Sequence, residues 1–394
     1  MDDLDLMSTA AFRDGIPYGY FSELRQRPGL TRGYDTDGEP LWHLVRHPDV
    51  VMVARDAAGF SSSPTTMTSV RKQENPYPII TFLDAPAHTR MRKLAFKAFA
   101  PARMAALTGP VRKIVTALLN EASDKQEFDL AEDIALRLPL EVLVEVLGVP
   151  MADREMVVGW ASRTVNLGDP EYSSAGDADE DVFGNLAGYF LDFARRRAAD
   201  PAEDFLSLLL AARQKDSQLS PEEAGIFATT LITAGSETTY SAITGGVLAL
   251  LESPEQLDLL LNEPGLLPGA IDEILRWVTP VTHFARRAVA DTEISGHRVS
   301  AGERVILWYS SANRDEAVFA DPDRFDITRS PNPHVTFGGG GPHVCIGNAL
   351  AMLEIRQFLD VALDMLPRLE MAGQPTRPAT NFMNSIKHLP MRFR

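Results

Sequence analysis

The sequence predicts a mainly helical protein with small β-sheets. Three observations carry that expectation. Apolar residues recur at i, i+3 and i+4 across residues 103–121, 130–147, 151–167, 181–198, 204–214 and 221–252. Alternating, strand-like runs are short and confined to residues 41–45 and 284–307. Hydrophobic residues make up 45% of 394, ample for a large core.

Each element has its own local reason. Pro150 and Pro201 punctuate the helical stretch. Ser220-Pro221-Glu222-Glu223 is a start signal: an N-cap serine, proline at the first helical position and glutamate at the third. It opens the longest helix, which is apolar on nearly every face and is therefore expected to run through the interior. No repeat, low-complexity tract or linker interrupts the chain, so residues 1–394 read as a single domain. No run of eighteen apolar residues occurs, so no membrane anchor is expected. The start, Met1-Asp2-Asp3-Leu4-Asp5, lacks a signal pattern. One cysteine rules out an internal disulfide, and a cytoplasmic monomer is the expectation. A net charge of −16 argues against a nucleic-acid partner.

The lone cysteine lies in Phe337-Gly338-Gly339-Gly340-Gly341-Pro342-His343-Val344-Cys345-Ile346-Gly347. The glycines and proline forbid regular structure, and helical spacing resumes over residues 346–364. Cys345 thus sits at or just before a helix N-terminus, whose free N–H groups should lower the thiol pKa. Bare glycines leave room for a large flat ligand against the backbone. A soft anion placed this way suits axial ligation of a haem iron. A lone cysteine is also commonly a small buried hydrophobe, and glycine loops also bind phosphate. These residues alone leave all three readings open.

The loop resembles the cysteine-ligand motif of the cytochrome P450 family, Phe-Gly-x-Gly-x-(His/Arg)-x-Cys-x-Gly. It departs in one place: Gly338 stands seven before the cysteine, where the phenylalanine is usual, and Phe337 stands eight before. The order of elements resembles that family over almost the full length. The resemblance implies the cytochrome P450 fold, with haem b between a long central helix and the cysteine loop and helix. It implies Cys345 as axial thiolate, with Phe337, Gly339, Gly341 and Gly347 against the cofactor.

The long helix carries Ala234-Gly235-Ser236-Glu237-Thr238-Thr239. Gly235 costs about 1 kcal/mol against alanine in a helix, and Glu237 is expensive to bury. The residues alone allow a kinked helix with a satisfied acid. The segment resembles the family's (Ala/Gly)-Gly-x-(Asp/Glu)-Thr-(Thr/Ser). That implies space for dioxygen at Ala234 and Gly235, a hydrogen bond from Thr238 to bound oxygen, and proton relay by Glu237.

Glu273 and Arg276 share one helical face, a spacing that usually means a solvated ion pair. Followed by Pro322-Asp323-Arg324-Phe325, they resemble the family's Glu-x-x-Arg and Pro-x-Arg-Phe segments. That implies a structural network of Glu273, Arg276 and Arg324 beneath the cysteine loop. Residues 84–92 resemble the family's Asp-x-Pro-x-His-x-x-x-Arg helix, which implies that His88 and Arg92 meet haem propionates. His343 and Arg286 resemble further contacts, with Arg287 as the neighbouring alternative to Arg286.

By family position, Val281, Phe284, Phe382 and Met383 are candidates for the pocket of a lipophilic substrate of the steroid, terpenoid or fatty-acid class. Residues 61–78 read as a mobile lid and residues 168–181 as a second mobile edge. The chain has no Gly-x-Gly-x-x-Gly fingerprint and no cysteines for an iron–sulfur cluster. Electrons are therefore expected from a ferredoxin of the [2Fe-2S] type and its ferredoxin reductase. Arg90, Lys93, Lys97 and Arg103 form a basic patch on which an acidic partner could orient. The implied activity is a monooxygenase using O2 to hydroxylate an unactivated C–H bond. Oxidative coupling, desaturation or epoxidation on the same haem is the alternative. A non-catalytic haem-thiolate sensor or carrier is disfavoured by the Glu237-Thr238 pair.

Overall fold

The computed structural model describes residues 4–35, 38–68, 77–165, 171, 181–214 and 217–394. Its organising element is the helix Pro221–Glu252, 32 residues long. Ser220 Oγ accepts from the Glu223 N–H and the Glu223 side chain accepts from the Ser220 N–H, so the predicted capping box is present. Buried residues occur on every face of this central helix, because other helices surround it. Val182–Ala199, Arg137–Leu147, Leu267–Val278 and Asn348–Ala362 all pack on it. The main apolar core runs with it, from Ile80 to Met391 in sequence.

The fold is mainly helical with small sheets, as the periodicity predicts. Helices occupy Pro101–Ser123, Met151–Val165 and Phe205–Ala211 at the expected places. The stretch 130–147 is not one helix. Leu130–Ala135 forms a π-helical turn that Asp129 caps, and Arg137–Leu147 then ends at Gly148 in the left-handed region. The region 284–307 resolves into strands His283–Ala288, Thr292–Ile294, His297–Val299 and Arg304–Trp308.

Five strands form the largest sheet, in the order Thr31–Tyr34, Pro40–Leu44, Arg304–Trp308, His283–Ala288, Phe60–Ser61. Only Pro40–Leu44 and Arg304–Trp308 run parallel. A three-stranded sheet joins Glu127–Asp129, Pro390–Phe393 and Leu369–Met371. Among the described residues no helix is long and apolar enough to cross a membrane.

The segment expected to be a mobile lid is anchored over residues 61–68. Ser62 N donates to Asp84 Oδ1 at 2.8 Å, Ala285 N to the Thr66 carbonyl at 2.7 Å, and Thr68 Oγ1 meets His283 Nε2 at 3.0 Å. Ser62, Thr66 and Thr68 are buried, which tethered backbone explains. The rest of that expectation, at residues 69–76, lies outside the described residues, as does most of the expected second edge.

Candidate active site

A cavity of about 1450 Å³, its mouth included, lies between the central helix and the cysteine loop. One wall is the central helix, through Thr230, Ala234, Gly235, Thr238, Thr239 and Ala242. Ala234 is exposed although its helix is central, because it faces this space. The opposite wall carries Phe337, Gly338, Cys345, Ile346 and Gly347. His88, Arg92, Arg286 and His343 line it as well, and Ile80, Leu143, Phe227, Leu231, Val281 and Phe284 give it an apolar lining.

The cysteine loop is held from below. Glu273 and Arg276 are fully buried and form a two-point pair, each contact 2.8 Å. Arg276 also donates to the carbonyls of Asn313, Pro322 and Arg324. Asn313 then accepts from Val335 N and donates to Thr336 Oγ1, two residues at the entrance of the loop. This is a charge-assisted network rather than a solvated pair.

The third member, the second arginine, differs from the sequence expectation. Arg324 contributes only its carbonyl, and its residue is exposed. Arg329 instead donates to Glu273 Oε2 at 3.1 Å, beside Asn332 Nδ2 at 3.1 Å. Spacing could not separate the two arginines, because an irregular turn lies between them.

Two of the expected glycine contacts are also corrected. Gly339 and Gly341 do not line the cavity; Gly338 and Gly347 do. A Cβ on Gly341 would meet the Ala54 carbonyl oxygen at 2.5 Å, and one on Gly339 would meet Ala54 Cβ at 3.3 Å. With φ near +76° and +71°, these glycines let the loop turn tightly against the helix His47–Arg55 rather than against a ligand. Phe337 lies at the cavity, and its carbonyl accepts from Cys345 N at 2.9 Å.

Helix geometry divides the residues of the acid–alcohol segment. Thr238 faces the cavity and donates to the Ala234 carbonyl at 2.9 Å. Glu237 is not among the lining residues. It is half-buried, and burial pushes its carboxyl up to about 8. The helix continues unbroken through Gly235, whose absent Cβ would sit 3.1 Å from Leu143 Cδ1. Glycine there accommodates the neighbouring helix as well as the cavity.

Phe382 and Met383 do not line the cavity either. Met383 bridges to Val281, and the Phe382 ring packs 5.6 Å from Phe284. They back the two pocket candidates that do face the space. Of the arginine neighbours, Arg286 is buried and lines the cavity, whereas Arg287 donates to the Gly302 carbonyl at the surface.

The electrostatics of the cavity are lopsided. Neither Arg92 nor Arg286 has a carboxylate within ion-pair range among the described residues, and burial lowers the pKa of both. The His343 ring stacks on His88 at 3.9 Å. Burial, then the charge of Arg286, His88 and Arg92, pushes His343 down to about 3. The thiol behaves otherwise than its helix-terminal position predicts. Burial pushes Cys345 up, and the N–H groups of Gly347 and Asn348 and the charge of Arg92 offset this only in part. A thiolate here needs a further positive charge beside it.

A cytochrome P450 family model matches residues 260–386. The steroid C26-monooxygenase of Mycolicibacterium smegmatis is 35% identical over 401 residues, covering 98% of this chain and 92% of that one. This chain belongs to the cytochrome P450 family. The methyl-branched lipid omega-hydroxylase of Mycobacterium tuberculosis is also 35% identical, over 394 residues covering 97% of this chain and 92% of that one. A Mycobacterium marinum cytochrome P450 solved in complex with pseudoionone has TM-score 0.90 at 31% identity, covering 100% of this chain and 99% of that one. The curated full-length relatives are oxygenating enzymes, and this P450 is a monooxygenase.

P450 membership implies a haem with a cysteine thiolate. The residues fit that group. One cysteine opens onto a large cavity, which buried Arg286 and half-buried Arg92 also face with no carboxylate in ion-pair range among the described residues. The one acid that lines the cavity among the described residues, Glu354, escaped the sequence reading. Its signal was present. Leu350, Glu354 and Phe358 fall four apart along the buried stripe of Asn348–Ala362.

Proposed function

We propose that this P450 hydroxylates an unactivated C–H bond near the end of a methyl-branched alkyl chain on a lipophilic molecule. The observation that carries the haem part of the reading is the cavity itself. It gathers the chain's one cysteine, four basic side chains and an apolar lining. Bound there, haem b would supply the activation of O2, in the overall reaction R–H + O2 + 2 e⁻ + 2 H⁺ → R–OH + H2O. Cys345 would ligate the iron. Arg92, Arg286, His88 and His343 would hold the propionates, arginine being suited to carboxylate recognition. Thr238 would hydrogen-bond the reacting oxygen from the central helix.

The substrate class draws on two features. Val281 and Phe284 face the cavity with backing from Met383 and Phe382, so the wall is apolar. The relatives named above act at carbon 26 of a steroid and at the omega end of a methyl-branched lipid. Both positions are alkyl-chain termini. Spectral titration of the ferric protein tests this. Steroids with a branched side chain and methyl-branched lipids should shift the Soret band at micromolar levels, and product should carry the hydroxyl at the chain end. A shift only with side-chain-free steroids or straight fatty acids would contradict the proposal.

Electrons would come from an acidic ferredoxin. Lys93 and Arg103 remain exposed at the helix Ala87–Ala95 and beyond it, whereas Lys97, though exposed, donates to the Arg213 carbonyl and Arg90 is engaged by Glu223 and the Gln218 carbonyl. Reduction by such a ferredoxin should slow as salt rises; a rate indifferent to salt would exclude this face.

A further inference from the structure

A fully buried titratable group beside the cavity takes no part in the site described above. His283 is 0% exposed and lies between Val281 and Phe284, which line the cavity, though it is not itself among the lining residues. Its ring is packed on two sides: the Trp308 ring lies 4.4 Å away, and the Phe382 ring meets it edge-on at 86°. Both ring nitrogens are bonded. Nδ1 meets Thr282 Oγ1 at 2.8 Å, and Nε2 meets Thr68 Oγ1 at 3.0 Å.

These bonds assign the ring proton. Thr282 Oγ1 donates its one hydrogen to the carbonyls of Asn381 and Phe382, so toward His283 it can only accept. Nδ1 therefore carries the proton, and Nε2 is left to accept from the Thr68 hydroxyl. Burial, the largest cause, pushes His283 down to about 3, so the ring holds no second proton at neutral pH. Thr68 and Thr282 are buried too, so water does not compete for either bond. The chain joins three parts of the cavity wall. Thr68 belongs to the segment 61–68, whose Thr66 lines the cavity. His283 opens the strand that carries Phe284. Asn381 and Phe382 lie in the stretch that backs Phe284 and Val281. Backbone bonds hold the carbonyls of Thr66 and Met67, through Ala285 N and Arg304, and Thr68 adds the side-chain tie at that end.

We propose that His283 is a specificity-determining positioning residue: it locks these three wall segments together, so that the substrate presents its terminal carbon and not the branch carbon beside it. The proposal rests on the chain-end hydroxylation reading above. A methyl-branched chain end holds a tertiary C–H beside the C–H bonds of its methyl groups, and the tertiary bond is the weaker. Reaction at the methyl carbon therefore depends on placement, and a shift of about 1 Å can cost about a hundredfold in rate. A wall free to give by that distance lets the branch carbon react instead. His283 touches neither substrate nor cofactor and acts only through Phe284, Thr66 and the residues behind them.

The test uses the haem-loaded protein and a lipid ending in an isopropyl group, with Thr68→Val, Thr68→Ser, His283→Asn and the Thr68→Val/His283→Asn pair. Two quantities are read: the ratio of primary to tertiary alcohol, and amide hydrogen exchange over residues 61–68. Thr68→Val should lower the ratio and speed the exchange, each roughly fivefold, the worth of one hydrogen bond. Asparagine keeps a donor near Thr282 but is too short to reach Thr68, so His283→Asn should do at least as much. Adding Thr68→Val to it should change neither quantity, because the bond is already cut. Thr68→Ser keeps the hydroxyl and should keep both wild-type values. Either quantity unchanged in Thr68→Val overturns the proposal, as do effects that multiply in the pair or a serine variant that behaves as valine does. If His283→Asn fails to take up haem, Thr68→Val against Thr68→Ser decides. Failure of the chain-end reading shows separately, as a wild type that puts no hydroxyl on the terminal carbon; that overturns the choice of carbon, and the exchange rates still decide whether His283 locks the wall.

Discussion

Glu237 and Glu354 each hold a carboxyl that burial pushes up to about 8, from an ordinary 4.5. The folded chain therefore keeps protons that the unfolded chain releases, and the stability this contributes is lost as pH rises from 4.5 through 8. His43 is pushed down to about 4, and His283 and His343 to about 3, all three mainly by burial. These oppose the acids, but only below 6.5, where the unfolded histidines take up protons. Between pH 6.5 and 8 the acids act alone among these five groups. Stability to urea should fall across that window, by at most about 1.4 kcal/mol per pH unit for each acid. Glu354→Gln should remove a large share of the slope. Stability that rises across the window, or a slope unchanged in that variant, would contradict the burial of these acids.

At the level of elements, the cysteine loop is held by one charge network that a helix and an irregular turn beneath it share. Removing either member of the fully buried Glu273–Arg276 pair would leave an uncompensated charge, at a cost of about 3–5 kcal/mol. The two nearby arginines separate the structure from the sequence reading. Arg329→Ala should cost about 1–3 kcal/mol, because it removes donors to Glu273 and to the carbonyls of Ala320 and Asp321. Arg324→Ala should stay within about 0.5 kcal/mol, since its carbonyl survives the change. Denaturant midpoints of the two variants check this, and equal losses would contradict the assignment. Regular elements were legible in the sequence because period and caps are local: the capping box at Ser220 and the helix 221–252 are found as read. The loop chemistry was legible only as a motif. The packing reason for Gly339 and Gly341 involves Ala54, nearly three hundred residues earlier, which no local pattern reports. Likewise Phe382 and Met383 lie near the pocket in sequence logic, but Phe284 and Val281 stand between them and the space.

Across the whole molecule, the long central helix and the helix after Cys345 are two sides of one chamber, and the five-stranded sheet brings Arg286 and Phe284 to it. The chamber concentrates positive charge in a protein whose net charge is −16. That contrast has a direct meaning: the chain excludes its many acids from the cavity, Glu354 excepted among the described residues, and so reserves the site for an anionic group. It also explains why Cys345 alone does not favour a thiolate, since burial outweighs its N–H partners until a metal is present. The most direct test is the absorption of the reduced, carbon monoxide-bound haem protein, compared with Cys345→Ser. The wild type should show the red-shifted Soret band of thiolate-ligated iron, and the serine variant should lose it. A wild-type band at the position of histidine-ligated haem, or a band unchanged in Cys345→Ser, would contradict the account.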